Sequence, residues 1–446
     1  MKLSRRSMLA STAALAAGCS FAEPPLDAPS VPQAVALNVA APSYGSLGNP
    51  LLTEERSEDT YRRGLTTLES NRESPYGPTR GGYSLALQFY EELYPHNVEP
   101  ITTEEARTAA LDTVEALLAD LVILASHDAT RLGPEGLLLP LDRFSGPAGA
   151  ELKREFFPSV LDQFRRDGAL YALPIGARPL MLYYDEDHFK LHGVPPVDAS
   201  WDWDDLLESA VRLTTREVDG TVARWGLIAH LHDPWWALWQ NRAEAVDPVT
   251  LQCRLQEPAA VEALQFVHDL IHKYRVSPPV PLRDLFELIL GQRSLPAMLY
   301  SHDALLHSGF RTAALPRGRA RAVPVRGHFG IGIAARTTHT EAAYTALRGL
   351  AQSLQEEAAV PASRAAVARL EEIRTDLRPE EVAALQLSLE HGRAEPLPAP
   401  PLGTYWEGLL SFEDGDDVTT MVNRACDYLR THQQQSASPP LWGRAV

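Results

Sequence analysis

Residues 167–215 constrain the fold more than any other stretch of the chain. A polar turn leads into an extended apolar run that Pro174 interrupts, because proline lacks the N–H that a regular ladder needs. Residues 180–184 are short, apolar and aromatic, which predicts a buried strand. Asp202 then predicts a helix N-cap, with Asp205 three residues later and apolar residues at helical spacing. A strand that leads directly into a helix favours an α/β protein.

The order of motifs in this stretch carries a resemblance. Gly-x-x-Tyr-Ala-x-Pro at 168–174 is followed by Leu-Tyr-Tyr-Asp at 182–185, Gly-x-Pro-Pro at 193–196 and Trp-Asp-Asp-Leu at 203–206. Together they resemble the extracellular solute-binding proteins of ABC importers, in the carbohydrate-binding branch that includes maltodextrin-binding proteins. The resemblance implies an α/β fold of two lobes, the type II arrangement, joined by a hinge with several crossovers.

Chain length agrees with two lobes, because 446 residues exceed what one ordinary core accommodates. The resemblance, strongest at 167–215, implies how the chain divides. We expect a signal peptide at 1–18, a flexible tether at 19–33, a first lobe from 34–145 and 300–345, a second lobe from 150–295 and 346–432, and a polar tail at 433–446.

Strand and helix patterns alternate through the first lobe. Residues 34–41 predict a strand, and residues 84–93 and 103–119 predict helices. Residues 120–124 are apolar on both faces, which favours a strand in a parallel sheet. Residues 42–82 have little apolar pattern and are expected to be an insertion.

The N-terminus predicts export. Basic residues precede a short apolar run that is too short to span a bilayer and reads as a signal peptide. Arg5-Arg6 resembles a twin-arginine signal. Cys19 follows small residues and resembles a lipoprotein processing site, so the chain is expected to be held at a membrane by lipid. Plain export with cleavage nearby is the alternative.

Charge and cysteine content exclude some classes of partner. A formal net charge of −17 argues against nucleic acid or an anionic membrane surface as a partner. Cys253 and Cys426 are isolated, without spacing for a metal site, so neither a metal nor a cofactor is expected. In an exported protein they form either a disulfide or two separate thiols.

Aromatic residues mark the first candidate binding segment. Trp235 and Trp236 follow Asp233-Pro234, and Trp239 comes three residues later. Sugar sites combine flat aromatic faces with short polar side chains. The resemblance implies that Asp233 hydrogen-bonds and Trp235 stacks on a sugar. Core packing along one helical face is the alternative for each tryptophan.

Three further places match ligand contacts of the resembling family. Trp406 is expected to stack on a sugar, with core packing as the alternative. His127, Asp128 and Arg131 follow a buried strand at its carboxyl end, where open α/β sheets place ligands; a solvated loop is the alternative. Arg178 occupies the crossing strand where maltodextrin-binding proteins have Glu, and pairs either with an anionic ligand or with Asp233 or Asp303.

The sequence therefore predicts a monomeric lipoprotein that captures a carbohydrate and delivers it to the permease subunits of an ABC transporter. An anionic solute such as a sugar phosphate, uronate or polyol phosphate is the alternative ligand. A carbohydrate-degrading enzyme is a further alternative, with Asp202, Asp204 and Asp205 as its carboxylates. Their spacing fits an N-cap better, and motifs of serine hydrolases, zincins and P-loop proteins are absent from the sequence. We therefore expect no catalysis.

Overall fold

The computed structural model describes residues 35–42, 83–90, 119–144, 150–228, 234–247, 250, 252–279, 296–302, 309–395, 410, 412 and 415–435. Strands β1 to β16 are Val35–Pro42, Tyr83–Tyr90, Leu121–Ala125, Arg165–Arg166, Ala169–Leu170, Leu173–Pro174, Arg178–Pro179, Met181–Tyr184, Thr215–Arg216, Val222–Arg224, Leu227–Ile228, Met298–Ser301, Arg311–Ala313, Val323–Arg326, Phe329–Ile333 and Gly392–Ala394.

The α-helices follow the same chain order. Helices α1 to α12 are Ser126–Leu132, Ala150–Glu155, Pro158–Leu161, Glu186–Leu191, Trp203–Leu213, Trp235–Gln240, Pro258–His272, Thr340–Glu357, Arg364–Ala368, Leu370–Ile373, Pro379–Glu390 and Val418–Gln435. Short 3₁₀ turns lie at Leu141–Arg143 and Asp162–Phe164. The predicted helix at 103–119 lies outside the described residues except for Ala119.

The largest sheet has the strand order β2-β1-β3-β15-β6. β1 runs parallel to both β2 and β3, whereas β15 is antiparallel to β3 and β6. The prediction of a buried strand at 120–124 with a parallel neighbour is confirmed, since β3 pairs with β1 and four of its five residues are buried.

The helix predicted at 84–93 is wrong, because Tyr83–Tyr90 is strand β2. It pairs with β1 over eight residues, from Val35 opposite Tyr83 to Pro42 opposite Tyr90. Leu85, Leu87 and Phe89 recur every second residue, which is the period of a strand and outweighs the weaker helical spacing.

Two hydrophobic cores build the two lobes. The first core contains Leu37, Ile123 and Ile331 of the large sheet, together with Leu347 of α8 and Leu385 of α11. These residues are removed from water, which is the main favourable contribution to folding. The first lobe is therefore a sheet covered by helices.

The second core forms around the sheet β11-β12-β8-β13. It contains Leu182 of β8, Leu206 of α5, Trp236 of α6, Leu264 of α7 and Met421 of α12. Helix α5 begins at the predicted N-cap, where Asp202 and Asp205 form a reciprocal capping box with each other's backbone. The carboxylates considered for catalysis thus stabilise a helix start.

The cores divide the chain differently from the expected segments. Leu152 and Phe164, expected in the second lobe, lie in the first core, and so do Val367 and Leu385. The reason is that Leu173–Pro174, strand β6, pairs with β15 of the large sheet, which keeps the chain in the first lobe.

Two of the places where the chain passes between the cores lie on adjacent strands. Ala177 lies in the first core and Leu180 in the second, so the chain crosses at β7. Val323 lies in the second core and Val325 in the first, so it crosses back at β14. These strands form a small sheet of order β16-β14-β7, which we call the junction sheet.

A second connection between the lobes involves Glu381, a buried residue of α11 in the first lobe. Its carboxylate accepts a hydrogen bond from the backbone N–H of Thr312 at 2.8 Å and pairs with Arg311, both on β13. Arg378 at the start of α11 also pairs with Glu186 of α4 at 3.0 Å. Helix α11 is therefore bound to elements of both lobes.

Cys253 and Cys426 form a disulfide, which settles the alternative that the sequence leaves open. The bond joins the segment before α7 to α12 across a sequence separation of 173 residues. Closing so long a loop reduces the conformational freedom of the unfolded chain. The C-terminal helix is thus covalently fixed to the second lobe.

Replacing both cysteines by alanine should lower the free energy of unfolding by about 2–5 kcal/mol, the range for native disulfides. Urea denaturation of the purified mature protein measures this difference. Wild-type protein reduced with dithiothreitol is the matched control and should lose a similar amount. Equal stability of the oxidised, reduced and mutant forms would contradict a stabilising role.

Candidate functional site

Two arginines face each other on the junction sheet. In the antiparallel pair of β14 and β7, Arg326 lies directly opposite Arg178. Residues directly opposite each other on paired strands project from the same face of a sheet, and like charges in such a pair repel. A compensating negative charge is therefore required close to these two side chains.

Glu395, the residue after β16, supplies that charge. One carboxylate oxygen accepts a hydrogen bond from Arg326 Nε at 2.7 Å, and the other lies 2.9 Å from His302 Nε2. Burial would raise the pKa of the Glu395 carboxyl, but the positive charges of His302 and Arg326 and their hydrogen bonds outweigh burial and lower it to about 2. Glu395 is therefore ionised at neutral pH.

The same cluster also holds the backbone of the crossing strand. His302 Nδ1 lies 2.7 Å from the carbonyl oxygen of Arg178. Gln163 Nε2 donates to the carbonyl oxygens of Val325 at 2.7 Å and Glu395 at 3.3 Å. All three strands of the junction sheet are thus bound by buried polar side chains.

The expected cluster after β3 is present at the start of α1. Asp128 Oδ1 lies 3.5 Å from both His127 Nε2 and Arg131 Nη2. Asp128 is buried, whereas the His127 side chain is 55% exposed. Burial lowers the pKa of Arg131 to about 10, which Glu135 partly opposes. The group therefore combines a buried carboxylate with an accessible imidazole.

This cluster lies beside the crossover from β14 to β15. The backbone N–H of Ser126, one residue before His127, donates to the carbonyl oxygen of His328 at 3.0 Å. A Cβ at Gly327 would lie 1.8 Å from Ser126 Oγ, so only glycine permits this close approach. The start of α1 is thereby fixed against the junction between the lobes.

Comparison with known proteins supports this architecture. Residues 93–279 match the family model described as bacterial extracellular solute-binding protein. An ABC substrate-binding protein from Listeria monocytogenes, solved with cycloalternan, is 15% identical, covers 90% of this chain and 100% of its own, and superimposes with a TM-score of 0.60. The chain has the fold of the extracellular solute-binding proteins.

Two further solute-binding proteins superimpose over a similar length. UgpB from Mycobacterium tuberculosis, solved with glycerophosphocholine, is 19% identical, covers 90% of this chain and 98% of its own, and has a TM-score of 0.60. The maltose/maltodextrin-binding domain MalE from Bdellovibrio bacteriovorus, solved with maltotriose, is 18% identical, covers 90% and 100%, and has a TM-score of 0.55. The resemblance stated from the sequence, and with it the two-lobe α/β fold, is confirmed.

Trp235, Trp236 and Trp239 of α6 pack inside the second lobe of this solute-binding fold. Trp235 is 5% exposed and stacks on Trp239, with ring centroids 5.4 Å apart. Trp236 is 1% exposed and contacts Tyr300 and Trp203 edge-to-face at 5.1 and 5.6 Å. A stacking contact with a solute would require these rings to repack, so that role stays a prediction.

Several predicted site residues lie outside the described part of the chain. These are Asp233, Asp303, Trp406 and the lipidation candidate Cys19. Their roles stay predictions. Arg178 lies at the crossing between the lobes, as the resemblance implies, and its backbone carbonyl contacts His302.

Sequence reasoning missed Glu395, Arg326 and Gln163. Glu395 directly precedes the proline-rich run 396–402, and Arg326 is the last residue of β14, but neither position carries a motif. His302 carries no motif of its own in the sequence either. Arg393 was also missed; its guanidinium lies 4.3 Å from the ring of Trp239 and 2.9 Å from Glu244.

Two other kinds of site, a metal centre and a membrane-spanning helix, are absent from the described residues. Within them, no group of three or more His, Cys, Asp or Glu side chains is arranged to hold a metal ion. Across the same ranges, no helix has the length and apolar character that crossing a bilayer requires.

Glu395→Gln should reduce the acid sensitivity of the fold. The pKa of Glu395 is lowered from 4.5 to about 2, so its stabilising effect is complete above pH 4.5 and is lost as pH falls towards 2. Between those limits the wild type should lose about 3 kcal/mol more of its unfolding free energy than the variant. Urea denaturation at a series of pH values measures the difference.

Glu262→Gln is the matched control, because Glu262 pairs with Arg319 at an exposed site. Exposed ion pairs contribute little, so its acid sensitivity should equal that of the wild type. Parallel acid profiles for all three proteins would contradict an ionised Glu395 at the junction.

Proposed function

We propose that this protein captures a carbohydrate between its two lobes and delivers it to the membrane subunits of an ABC importer. The observation that carries this proposal is the extent of the structural likeness. It covers about 90% of this chain and 98–100% of the solute-binding proteins named above. The match to an extracellular solute-binding family over residues 93–279 supports it independently.

Closure about the junction is the proposed mechanism. The solute contacts His127, Asp128 and Arg131 from the first lobe and Asp233 and Trp406 from the second. Because these contacts form together only when the lobes approach, the solute favours the closed state by its differential affinity. The permease then recognises the closed protein.

The solute class follows from the chemistry of the junction and the known ligands of related proteins. Two of the three compared structures hold oligosaccharides, cycloalternan and maltotriose. Arg178 and Arg326, opposed on the junction sheet, favour an anionic solute such as a sugar phosphate as the second candidate. Glycerophosphocholine in one compared structure also contains a phosphate group.

The protein acts outside the cytoplasm in this proposal. The disulfide between Cys253 and Cys426 is typical of oxidising compartments. The basic and apolar N-terminus directs export by a twin-arginine route, and acylated Cys19 holds the protein at the membrane. The proposed form is monomeric, because one chain supplies both lobes of the site.

The proposal includes no catalytic step. Asp202 and Asp205, the best-placed carboxylates for an enzyme in the sequence, are engaged in the capping box of α5. Incubation with the bound saccharide should therefore return it unchanged when products are separated by chromatography. Released reducing ends would contradict this part of the proposal.

A panel of neutral and acidic saccharides should contain a ligand that raises the melting temperature of the purified mature protein. At one hundred times its Kd, a ligand that binds only the folded state stabilises it by about 2.7 kcal/mol. A thermal-shift assay measures the effect, and the heat-denatured protein provides the control for nonspecific dye signals. The absence of any hit would count against carbohydrate as the solute.

The substitution Arg178→Ala distinguishes a neutral solute from an anionic one. Hydrogen bonds to a charged group contribute about 1.5–3 kcal/mol, so an anionic ligand should lose roughly 10- to 150-fold in affinity by calorimetry. Arg319→Ala, which removes an exposed arginine, is the matched control and should bind as the wild type does. An unchanged affinity of Arg178→Ala would eliminate the anionic candidate.

A further inference from the structure

His302 ends the second-lobe sheet and contacts both other sides of the junction. It follows β12, and its side chain is fully buried. Nδ1 lies 2.7 Å from the carbonyl oxygen of Arg178 on β7, and Nε2 lies 2.9 Å from the carboxylate of Glu395 after β16. One imidazole therefore joins three segments that connect the lobes.

Both partners of this imidazole are hydrogen-bond acceptors. A backbone carbonyl oxygen can only accept, and an ionised carboxylate can only accept. A neutral imidazole carries one N–H, so it satisfies one of these two contacts and places a nitrogen lone pair against the other oxygen. Both contacts are favourable only when both ring nitrogens carry protons.

Protonation of Glu395 instead of His302 would require an O–H directed at Nε2. The second carboxylate oxygen, however, accepts a hydrogen bond from Arg326 Nε at 2.7 Å, a charge-assisted contact that favours the ionised form. The pKa of Glu395, lowered to about 2 despite its burial, agrees with an ionised carboxylate. The proton therefore belongs to the imidazole.

We propose that His302 is an imidazolium cation and the positioning residue that holds the Arg178 backbone at the junction, so that solute capture depends on this proton. The dependence of capture rests on the proposed function, whereas the protonation state does not. Loss of the proton forces one of the two contacts to break. The side-chain link from the Arg178 carbonyl through His302 to Glu395 is then broken, whereas the backbone pairing of β7 with β14 remains.

The groups that face His302 have opposite effects on its pKa. Burial is the largest effect and, with the positive charge of Arg326 on β14, it lowers the pKa of His302 below its ordinary value. The Glu395 carboxylate and the hydrogen bond to the Arg178 carbonyl oppose this shift and keep it smaller than burial alone would make it. The guanidinium of Arg178 projects from the same face of the junction sheet as that of Arg326. The balance among these groups sets the pH at which the junction changes.

Nitrogen-15 NMR of uniformly labelled mature protein tests the protonation state without any solute. The signals of His302 are those missing from His302→Gln. At about pH 5 both of its ring nitrogens should have the chemical shifts of the charged form. As the pH rises towards about 9, its deprotonation should move the backbone amide signals of Arg178 and Leu180 with the same midpoint.

Two variants test whether the pH-dependent NMR signals arise from His302. Glu395→Gln removes the counter-charge and should shift the midpoint of His302 to lower pH. In His302→Gln the amide group can donate hydrogen bonds but does not titrate, so the Arg178 and Leu180 signals should lose that pH-dependent step. A His302 that is a single neutral tautomer at every pH, or Arg178 and Leu180 signals that ignore its titration, would overturn the proposal.

A saccharide that raises the melting temperature in the panel then tests the coupling to capture. Its affinity for the wild type should fall roughly fivefold when His302 loses its proton, the effect of one lost hydrogen bond. The affinity of His302→Gln should be constant over the same range. A pH-independent wild-type affinity would overturn the coupling alone, and failure of the whole panel would count against the solute class while leaving the NMR result standing.

Discussion

The buried contact between Glu395 and Arg326 is the interaction on which the junction depends. It offsets the repulsion between two arginines that the register of β14 and β7 places opposite each other. A buried charge pair stabilises a protein only when its remaining hydrogen-bonding groups are satisfied. His302 and Gln163 meet part of that requirement by contacting the Glu395 side chain and backbone. Removing Arg326 or His302 would leave the buried Glu395 carboxylate without one of its partners.

The cluster of Glu395, Arg326 and His302 lies at the junction sheet, where the chain passes between the two lobes. The lobes have separate hydrophobic cores, and the chain passes between them at Ala177–Leu180 and Val323–Val325. Apolar packing stabilises each lobe and also joins them at β8, which contributes Met181 and Tyr183 to the first core and Leu182 to the second. Polar contacts add to the geometry between the lobes. Helix α11 adds ion pairs to both β13 and α4. Contacts of this kind can exchange for others at less cost than a packed apolar interface.

The sequence predicts the features that depend on local signals. Strand β3 follows from its apolar run, and the start of α5 follows from Asp202 and Asp205. β2 was assigned as a helix because ten residues admit both periods, and pairing with β1 decides between them. The cluster at the junction was beyond sequence reasoning, since Glu395 is 69 residues from Arg326 and 93 from His302. The tryptophans of α6 were predicted only in part. Their helical spacing agrees with packing in the core, where they lie, but the sequence alone leaves contact with a solute as an alternative.

The central claim of this account is that the two lobes close on a solute about the junction sheet. Small-angle X-ray scattering of the mature protein, titrated with a saccharide that calorimetry shows to bind, tests it most directly. The account predicts a saturable decrease in the radius of gyration, with the same half-saturation concentration as the heat of binding. A radius of gyration that stays constant while the solute saturates the protein would contradict lobe closure.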